Sequence, residues 1–369
     1  MFLPKQQANH PTDSLRRFTN GAVSFRKLRT LSEMDIAGKS VLLRVDLDVL
    51  PLVPGNPDSR LTSVKESVNH LCNRGARKII ILGHIGRPKE KDARLSTKLL
   101  ISSLRSILDR NIAFAQDFDK VPEEKVVVFE NVRFWPEETE KSKSSAREEF
   151  AKSLACMGDV YINDAFGTCH RNNVSMVDVA MLLPSAAGLH VEREVGVFEQ
   201  VFQRPKKGFV AIIGGTKIET KLPLINKLAK IAEYVLVGGI LPKEIQRNRL
   251  QFPNNVIVAN LKSDLSDIDN DSANNFIQII RRAKTIVWNG PIGVFEKKES
   301  SSGTDNVAYA IVTATKTKGA FSVAGGGETE KYLRREKLLA GFTHVSNGGG
   351  ASLEFLSGKA LIALEQLRS

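Results

Sequence analysis

At 369 residues the chain is too long for one ordinary hydrophobic core and suits two domains. Hydrophobic residues make up 42% and charged residues 25%, a globular balance, and no apolar run is long enough to cross a bilayer. The 53 Lys+Arg against 41 Asp+Glu leave a net charge of +12, which suits anionic ligands; without basic clusters interleaved with aromatics, or RNP or zinc-finger patterns, nucleic acid is not an expected partner.

Residues 1–30 hold Lys5, Arg16, Arg17, Arg26, Lys27 and Arg29 against a single acid, Asp13, with no clear helical period. They read as an N-terminal extension, with an organellar transit peptide as the alternative. Gly38-Lys39-Ser40 resembles the end of a P-loop, but Glu33 stands where the first glycine belongs and the tripeptide precedes a strand, so it is rejected. No G-x-G-x-x-G follows a strand either.

From there a short apolar run, a loop and a helical stretch repeat. Strands are expected at 41–45, 78–82, 126–129, 159–162, 209–213, 234–237, 256–259, 285–288 and 321–324. Helices are expected at 60–75, 96–110, 145–157, 222–231 and 306–316, with Gly75 and Gly158 at helix ends. This alternation predicts an α/β fold of two Rossmann-like domains, each a parallel sheet flanked by helices, with ligands beyond the carboxyl ends of the strands. The expected order is an extension (1–30), a first domain (31–190), an interdomain hinge helix (191–204), a second domain (205–350) and a C-terminal helix over 351–369 that packs back on the first.

Chemistry-bearing residues fall at those strand ends. In the first half they are arginines and a histidine: Arg44, Arg60, His84, Arg87, Arg133 and Arg171, with Asp46 and Asp48 after the first strand. Such a set suits a small, highly charged anion. Asp46 reads as orienting a basic residue or accepting a substrate hydroxyl, or as a strand-end ion pair. Cys169-His170-Arg171 invites a Cys–His nucleophile, but neighbours in sequence do not make that dyad, so Arg171 alone is placed in the site. The three cysteines, Cys72, Cys156 and Cys169, fit neither a disulfide framework nor metal spacing and suit a reducing compartment.

The second half carries glycine clusters instead. Gly214-Gly215-Thr216-Lys217 leaves a strand and opens a helix, where backbone N–H groups can approach phosphate; Lys221, four residues on, shares a helix face with Lys217. Gly238-Gly239 and Asn289-Gly290-Pro291 end two more strands. Gly325-Gly326-Gly327-Glu328-Thr329 follows another, with Glu328 suited to Mg²⁺, and Gly348-Gly349-Gly350 repeats the pattern. One half suited to a small anion and one to a large phosphorylated ligand together suggest an enzyme that moves phosphate between them.

Eight motifs, in order, resemble the phosphoglycerate kinase family: 43–49 (Leu43-Arg44-Val45-Asp46-Leu47-Asp48-Val49), 83–88, 130–134, 163–168, His170-Arg171, 183–188, 288–296 and 344–354. The resemblance covers the chain from about residue 35 onward. It implies a two-domain kinase that transfers phosphate reversibly between 1,3-bisphosphoglycerate and ADP, giving 3-phosphoglycerate and ATP. The first domain would bind 3-phosphoglycerate or 1,3-bisphosphoglycerate through Asp46, Asp48, Arg60, His84, Arg87, Arg133 and Arg171. The second would bind Mg²⁺ with ATP or ADP through Gly215, Lys217, Lys221, Gly238, Gly239, Asn289, Glu296 and Gly325–Thr329, with Glu328 on the metal. Gly348–Gly350 would form a further phosphate-binding turn, and hinge closure would bring Arg60, Lys217 and Lys221 around the transferring group. A cytoplasmic monomer without membrane or nucleic-acid partners is implied. A homologue that binds these ligands without turnover is the alternative. Three departures stand out: Asp48 where the family usually has Asn, Glu328 where it has Asp, and a shortened stretch between Gly239 and Lys284.

Overall fold

The computed structural model describes residues 26–49 and 58–369. Residues 1–25 of the expected extension lie outside the described residues, whereas residues 26–30 join the fold: Leu28 bridges Arg368 and Thr30 bridges Ala187.

Two parallel six-stranded sheets organise the chain. The first holds β1 (Ser40–Arg44), β2 (Lys78–Leu82), β3 (Ala113–Ala115), β4 (Val126–Phe129), β5 (Val160–Asn163) and β6 (Ser185–Ala187), in the order β3-β4-β2-β1-β5-β6. The second holds β7 (Phe209–Ile213), β8 (Tyr234–Val237), β9 (Val256–Val258), β10 (Thr285–Asn289), β11 (Phe321–Gly325) and β12 (His344–Val345), in the order β12-β11-β10-β7-β8-β9. That second order is the doubly wound one, with its switch point between β7 and β10. In the first sheet β4 lies between β2 and β3. The α/β expectation holds, and nine strands fall where the apolar runs place them. Three do not stand out in sequence: β3, β6 and β12 are two or three residues long and lie at sheet edges.

Helices cover both faces of each sheet: α1 (Ser59–Asn73), α2 (Ile101–Leu108), α3 (Ser145–Ala155), α4 (Asp178–Leu182), α5 (Leu189–Gln203), α6 (Ile218–Ile231), α7 (Leu241–Arg247), α8 (Asn270–Ile280), α9 (Ser302–Lys318), α10 (Gly327–Arg335), α11 (Gly349–Leu356) and α12 (Ile362–Glu365). All five residues of β1, β2, β7 and β10 are therefore buried, which is why they read as continuous apolar runs. In α1 the stripe Leu61, Val64, Val68 and Leu71 faces inward, Asp58 caps the first turn, and Gly75 follows the helix at φ +81°. Gly158 serves another purpose: a Cβ there would come within 2.7 Å of the Leu42 side chain.

Helix α5 runs from the last strand of the first sheet to the first strand of the second. Asp164, just past β5, accepts hydrogen bonds from the N–H groups of His190 (2.8 Å) and Val191 (3.2 Å) in its first turn, and from Ser67 Oγ (2.6 Å). A Cβ at Gly188 would collide with that carboxylate. Phe198 of α5 lies between Phe166, which follows β5, and Phe355 of α11, each ring centroid 5.8 Å away. Glu194, buried on the same helix, faces His344 of β12 at 3.2 Å.

The single helix expected over 351–369 is two. Gly358, at φ +84°, separates α11 from α12. The tail then returns to the first sheet's side, with Ala363 N–H donating to Cys169 O (3.1 Å) and Arg29 N–H donating to Leu367 O (2.8 Å). Among the described residues, no helix is long and apolar enough to cross a membrane.

Candidate active site

The turns after β1, β2 and β5 meet the turn before α11 around a cavity of about 260 Å³, lined in part by Asp46, Arg60, His84, His170, Arg171 and Gly348–Gly350. Behind it lies a fully buried arginine. Arg44 donates through Nε to Ser175 Oγ (2.9 Å), through Nη1 to Val45 O and through Nη2 to His84 Nδ1 (3.0 Å). The other ring nitrogen, Nε2, faces Arg171 Nη1 at 3.2 Å. Burial, then the charges of Arg44, Arg133 and Arg171, push the His84 pKa well below its usual value, so the ring is neutral.

The arginines work against one another. Burial, then Arg171 and Arg44, lower the Arg133 pKa to about 10, and Arg133 donates to Gly86 O. Burial also lowers that of Arg171, helped by the charge of nearby Arg87, which is itself exposed. Of these arginines only Arg171 lines the cavity, with Arg60 and the acids Asp46 and Asp48; Arg44, Arg87 and Arg133 surround it, and their mutual repulsion is relieved by a ligand that brings negative charge.

The two acids after β1 have local partners. Asp46 Oδ1 accepts the N–H of Asp48 (3.1 Å), and Asp48 Oδ1 accepts the N–H of Gly86 (2.8 Å). Asp48 thus ties the β1 turn to the His84–Arg87 turn through an acceptor that an asparagine could equally supply. Arg60 is folded back on the cap of its own helix: Nε and Nη2 bind the two oxygens of Asp58 at 2.9 and 2.8 Å. Burial works against its charge, but Asp58, Asp46 and Asp48 outweigh it and raise its pKa.

Sequence reading passed over three residues here. His170 lines the cavity opposite Gly350, with its adjacency to Arg171 as the available signal. Asn347, beside the triple glycine, also lines it and meets His190 Nε2 through Oδ1 (3.0 Å). Asp58 is recognisable as a helix cap two residues ahead of Arg60. Cys169 is buried, and burial pushes its thiol pKa up, the wrong direction for a nucleophile. The Gly348–Gly350 turn sits in this cavity, so it faces the arginines of the first half.

In the second half the switch point brings three glycine turns together. Gly214 N–H donates to Asn289 O (3.0 Å), Gly215 N–H to Pro291 O (3.0 Å), Gly239 N–H to Ile292 O (2.8 Å) and Ile240 N–H to Gly215 O (3.0 Å). A Cβ on Gly239 would lie 2.6 Å from Gly215 O, and one on Gly214 or Gly290 would run into Pro291 O or Gly214 O. These glycines are required by one another. The Gly214 and Gly215 N–H groups, expected to approach phosphate, already donate to carbonyls. Gly238 is held likewise, its N–H on Ile213 O (3.0 Å).

At α10 the geometry differs. Its first bond runs from Glu330 N–H to Gly326 O (3.0 Å), so the N–H groups of Gly327, Glu328 and Thr329 lie ahead of the helical ladder. Gly326 takes φ +100°. Thr329 is buried and its hydroxyl accepts Gly290 N–H (2.8 Å), clamping α10 to the β10 turn. Glu328 is exposed, with Lys331 Nζ 3.9 Å away, and Glu296 is exposed after β10. No group of three or more His, Cys, Asp or Glu side chains among the described residues could hold a metal alone.

Lys217, exposed, occupies the cap position of α6, and Lys221 lies one turn in. Lys221 Nζ donates to Asn289 Oδ1, while Asn289 Nδ2 donates to Gly325 O (2.9 Å). Burial lowers the Lys221 pKa to about 8. Neither lysine lines the cavity that holds Arg60.

The phosphoglycerate kinase family model matches residues 31–249 and 243–359. The chain is 33% identical to the cytosolic phosphoglycerate kinase 3 of Arabidopsis thaliana over 396 residues, covering 91% of this chain and 97% of that protein. It is 32% identical to the phosphoglycerate kinase of Prosthecochloris aestuarii, over 92% and 99% of the two chains. Among solved structures, phosphoglycerate kinase from Coxiella burnetii superposes with a TM-score of 0.77 at 28% identity, over 92% and 99% of the two chains. The Arabidopsis alignment is longer than this chain, so that relative carries residues with no counterpart here. Sheet order, motif order and all three comparisons agree: the chain belongs to the phosphoglycerate kinase family.

Proposed function

We propose that the protein is a phosphoglycerate kinase, transferring a phosphoryl group reversibly between 1,3-bisphosphoglycerate and ADP to give 3-phosphoglycerate and ATP. The observation that carries this reading is the pairing of an anion-sized cavity, lined by Arg60, His84, His170 and Arg171 alongside Asp46 and Asp48, with a partly buried lysine at the switch point of a doubly wound sheet.

Asp46, Arg60, His84, Arg87, Arg133, Arg171 and His170 bind and orient the phosphoglycerate, and the Gly348–Gly350 turn closes the cavity opposite them. Asp48 contributes by holding the Gly86 turn. Lys217, Lys221, Gly215, Gly238, Gly239, Asn289, Glu296 and the Gly325–Thr329 turn serve the nucleotide. Of these, the three leading N–H groups of α10 are the ones positioned to receive phosphate oxygens. A lone exposed carboxylate beside those N–H groups suits Mg²⁺ arriving with nucleotide phosphates, so Glu328 would hold the ion, which would neutralise phosphate charge when bound.

No general base is required. The acceptor is a carboxylate, ionised at neutral pH, and what it needs is positioning and charge neutralisation. Arg60, Lys217 and Lys221 supply both once the two halves approach about α5, and closure excludes the water that would hydrolyse an acyl phosphate. The working units are then residues 31–190 and 205–350, joined by the helix at 191–204, with 351–369 returning to the first. The reading extends to a monomer in the cytosol, the compartment named for the Arabidopsis relative.

The test is Mg²⁺-dependent ADP formation from ATP with 3-phosphoglycerate, the parent protein against Arg60→Ala. Substrate-dependent turnover that drops in the variant supports the assignment. Nucleotide binding without turnover in the parent would replace it with a binding protein.

A further inference from the structure

One buried acid close to the site has no part in the mechanism above. Glu138 follows Arg133 in a short 3-10 turn (Pro136–Thr139) and is fully buried. Its carboxylate meets donors only. Oε1 accepts from Asn173 Nδ2 (3.1 Å) and Ser175 Oγ (2.7 Å), and Oε2 accepts from Ser175 N–H (2.9 Å). Its backbone carbonyl accepts Val174 N–H (3.1 Å). Asn173, Val174 and Ser175 belong to the loop that leaves Arg171, so Glu138 holds the base of that loop from both main chain and side chain.

The hydrogen-bond directions propagate. Ser175 gives its one hydroxyl proton to Glu138, which fixes the hydroxyl's orientation and turns its lone pairs toward Arg44 Nε at 2.9 Å. Arg44 has no acceptor atom, so at 3.0 Å from His84 Nδ1 it must donate, and Nδ1 must be bare. A neutral imidazole with a bare Nδ1 carries its proton on Nε2. That nitrogen faces Arg171 Nη1 at 3.2 Å, where a donor meets a donor. Arg44 is fully buried and held by Val45 O and Ser175 Oγ, so it cannot yield; Arg171 is only partly buried. The unsatisfied contact therefore falls on the cavity side, between the buried Nε2–H of His84, which lines the cavity, and the partly buried Arg171.

We infer that Glu138 is a positioning residue for this reaction: through Ser175 and Arg44 it fixes the His84 proton on Nε2, so that His84 and Arg171 both present donors to the phosphoglycerate. The inference rests on the kinase reading for its substrate, but its first consequence, the tautomer, does not depend on turnover.

The test uses the whole chain, with 15N-labelled histidine, in parent, Glu138→Gln and Ser175→Ala forms. The ring 15N shifts separate a protonated nitrogen from a bare one. In the parent, the His84 signals should show Nδ1 bare and Nε2 protonated. In Glu138→Gln the anchor on Arg44 loosens, and the two signals should move toward each other as tautomers exchange. Ser175→Ala cuts the same link while keeping Glu138 and should do likewise, which covers the case in which Glu138→Gln fails to fold. Kinetically, each variant should raise KM for 3-phosphoglycerate about tenfold and leave KM for Mg²⁺–ATP unchanged. A parent His84 protonated on Nδ1 would overturn the inference. So would variants with parental ring shifts, or with both KM values raised together, which marks general loosening. An inactive parent with the expected tautomer would instead refute the kinase reading alone.

Discussion

Lys221 pits stability against function in a way that can be measured. Its amine is largely buried, with Asn289 Oδ1 as the acceptor it meets, and burial brings its pKa from 10.5 to about 8. Holding the proton in the folded protein at neutral pH therefore costs about 3 kcal/mol relative to the unfolded chain. The sign follows from proton counts. Between about pH 8 and pH 10.5 the unfolded chain keeps this proton and the folded one does not, so this group makes stability rise with pH across that window. Lys221→Met removes the charge and that pH slope. Allowing about 1 kcal/mol for the lost bond to Asn289, the variant should be more stable than the parent at pH 7 by about 2 kcal/mol, and nearly inactive. Urea denaturation of both proteins at pH 7 and pH 9.5, read as midpoints, checks this, because other titrating groups cancel in the comparison. In the parent, kcat/KM should also fall above about pH 8 as the amine loses its charge, and Lys221→Arg should abolish that limb. A Lys221→Met protein less stable than the parent at pH 7, with parallel pH dependence, would refute the reasoning.

Other perturbations test separate parts of the site. Asp58→Asn keeps a helix cap but releases the Arg60 guanidinium, and kcat for phosphoryl transfer should rise severalfold, in line with an ion pair worth about 1 kcal/mol; an unchanged or lower kcat would mean that Asp58 holds Arg60 in its working position. Gly214→Ala forces a Cβ against Pro291 O and should lower unfolding free energy by about 3 kcal/mol or abolish soluble expression, while Gly327→Ala, which meets nothing within 4 Å, should be tolerated in a thermal melt. Asp164→Ala strips acceptors from the first turn of α5 and should cost about 2 kcal/mol by urea denaturation with little change in KM for nucleotide. Glu328→Gln should raise the Mg²⁺ concentration for half-maximal rate about tenfold, and an unchanged Mg²⁺ titration would remove Glu328 from the metal.

Much of this architecture was legible because its signals are local. β1, β2, β7 and β10 are buried on both faces, so each reads as an unbroken apolar run, and the arginines that follow them mark strand ends. What escaped depends on contacts distant in sequence. Ser185-Ala186-Ala187 becomes a strand only because β5 and Thr30 lie alongside it. The break at Gly358 is fixed by where α12 meets the Cys169 carbonyl. Asp48 stands where the family usually has Asn, and its use depends on the Gly86 N–H, 38 residues away, that it accepts. Glu138 and Ser175 lie 37 residues apart, and nothing in either segment announces that they share a proton. The glycines were noticed, but for one purpose: sequence shows that a Cβ is excluded, and not whether a ligand or another backbone excludes it.

The three glycine turns of the second half touch main chain to main chain. Such a seam resists single substitutions at Gly214, Gly239 and Gly290, since a Cβ on any of these meets a carbonyl oxygen and no backbone neighbour can shrink to make room. Gly239 and Ile240 donate to Ile292 O and Gly215 O, and neither bond involves residues 241–284. The segment immediately downstream can therefore change in length without disturbing the turn that precedes it. Replacing residues 241–284 with the corresponding stretch of a relative should leave the seam, and the fold around it, intact.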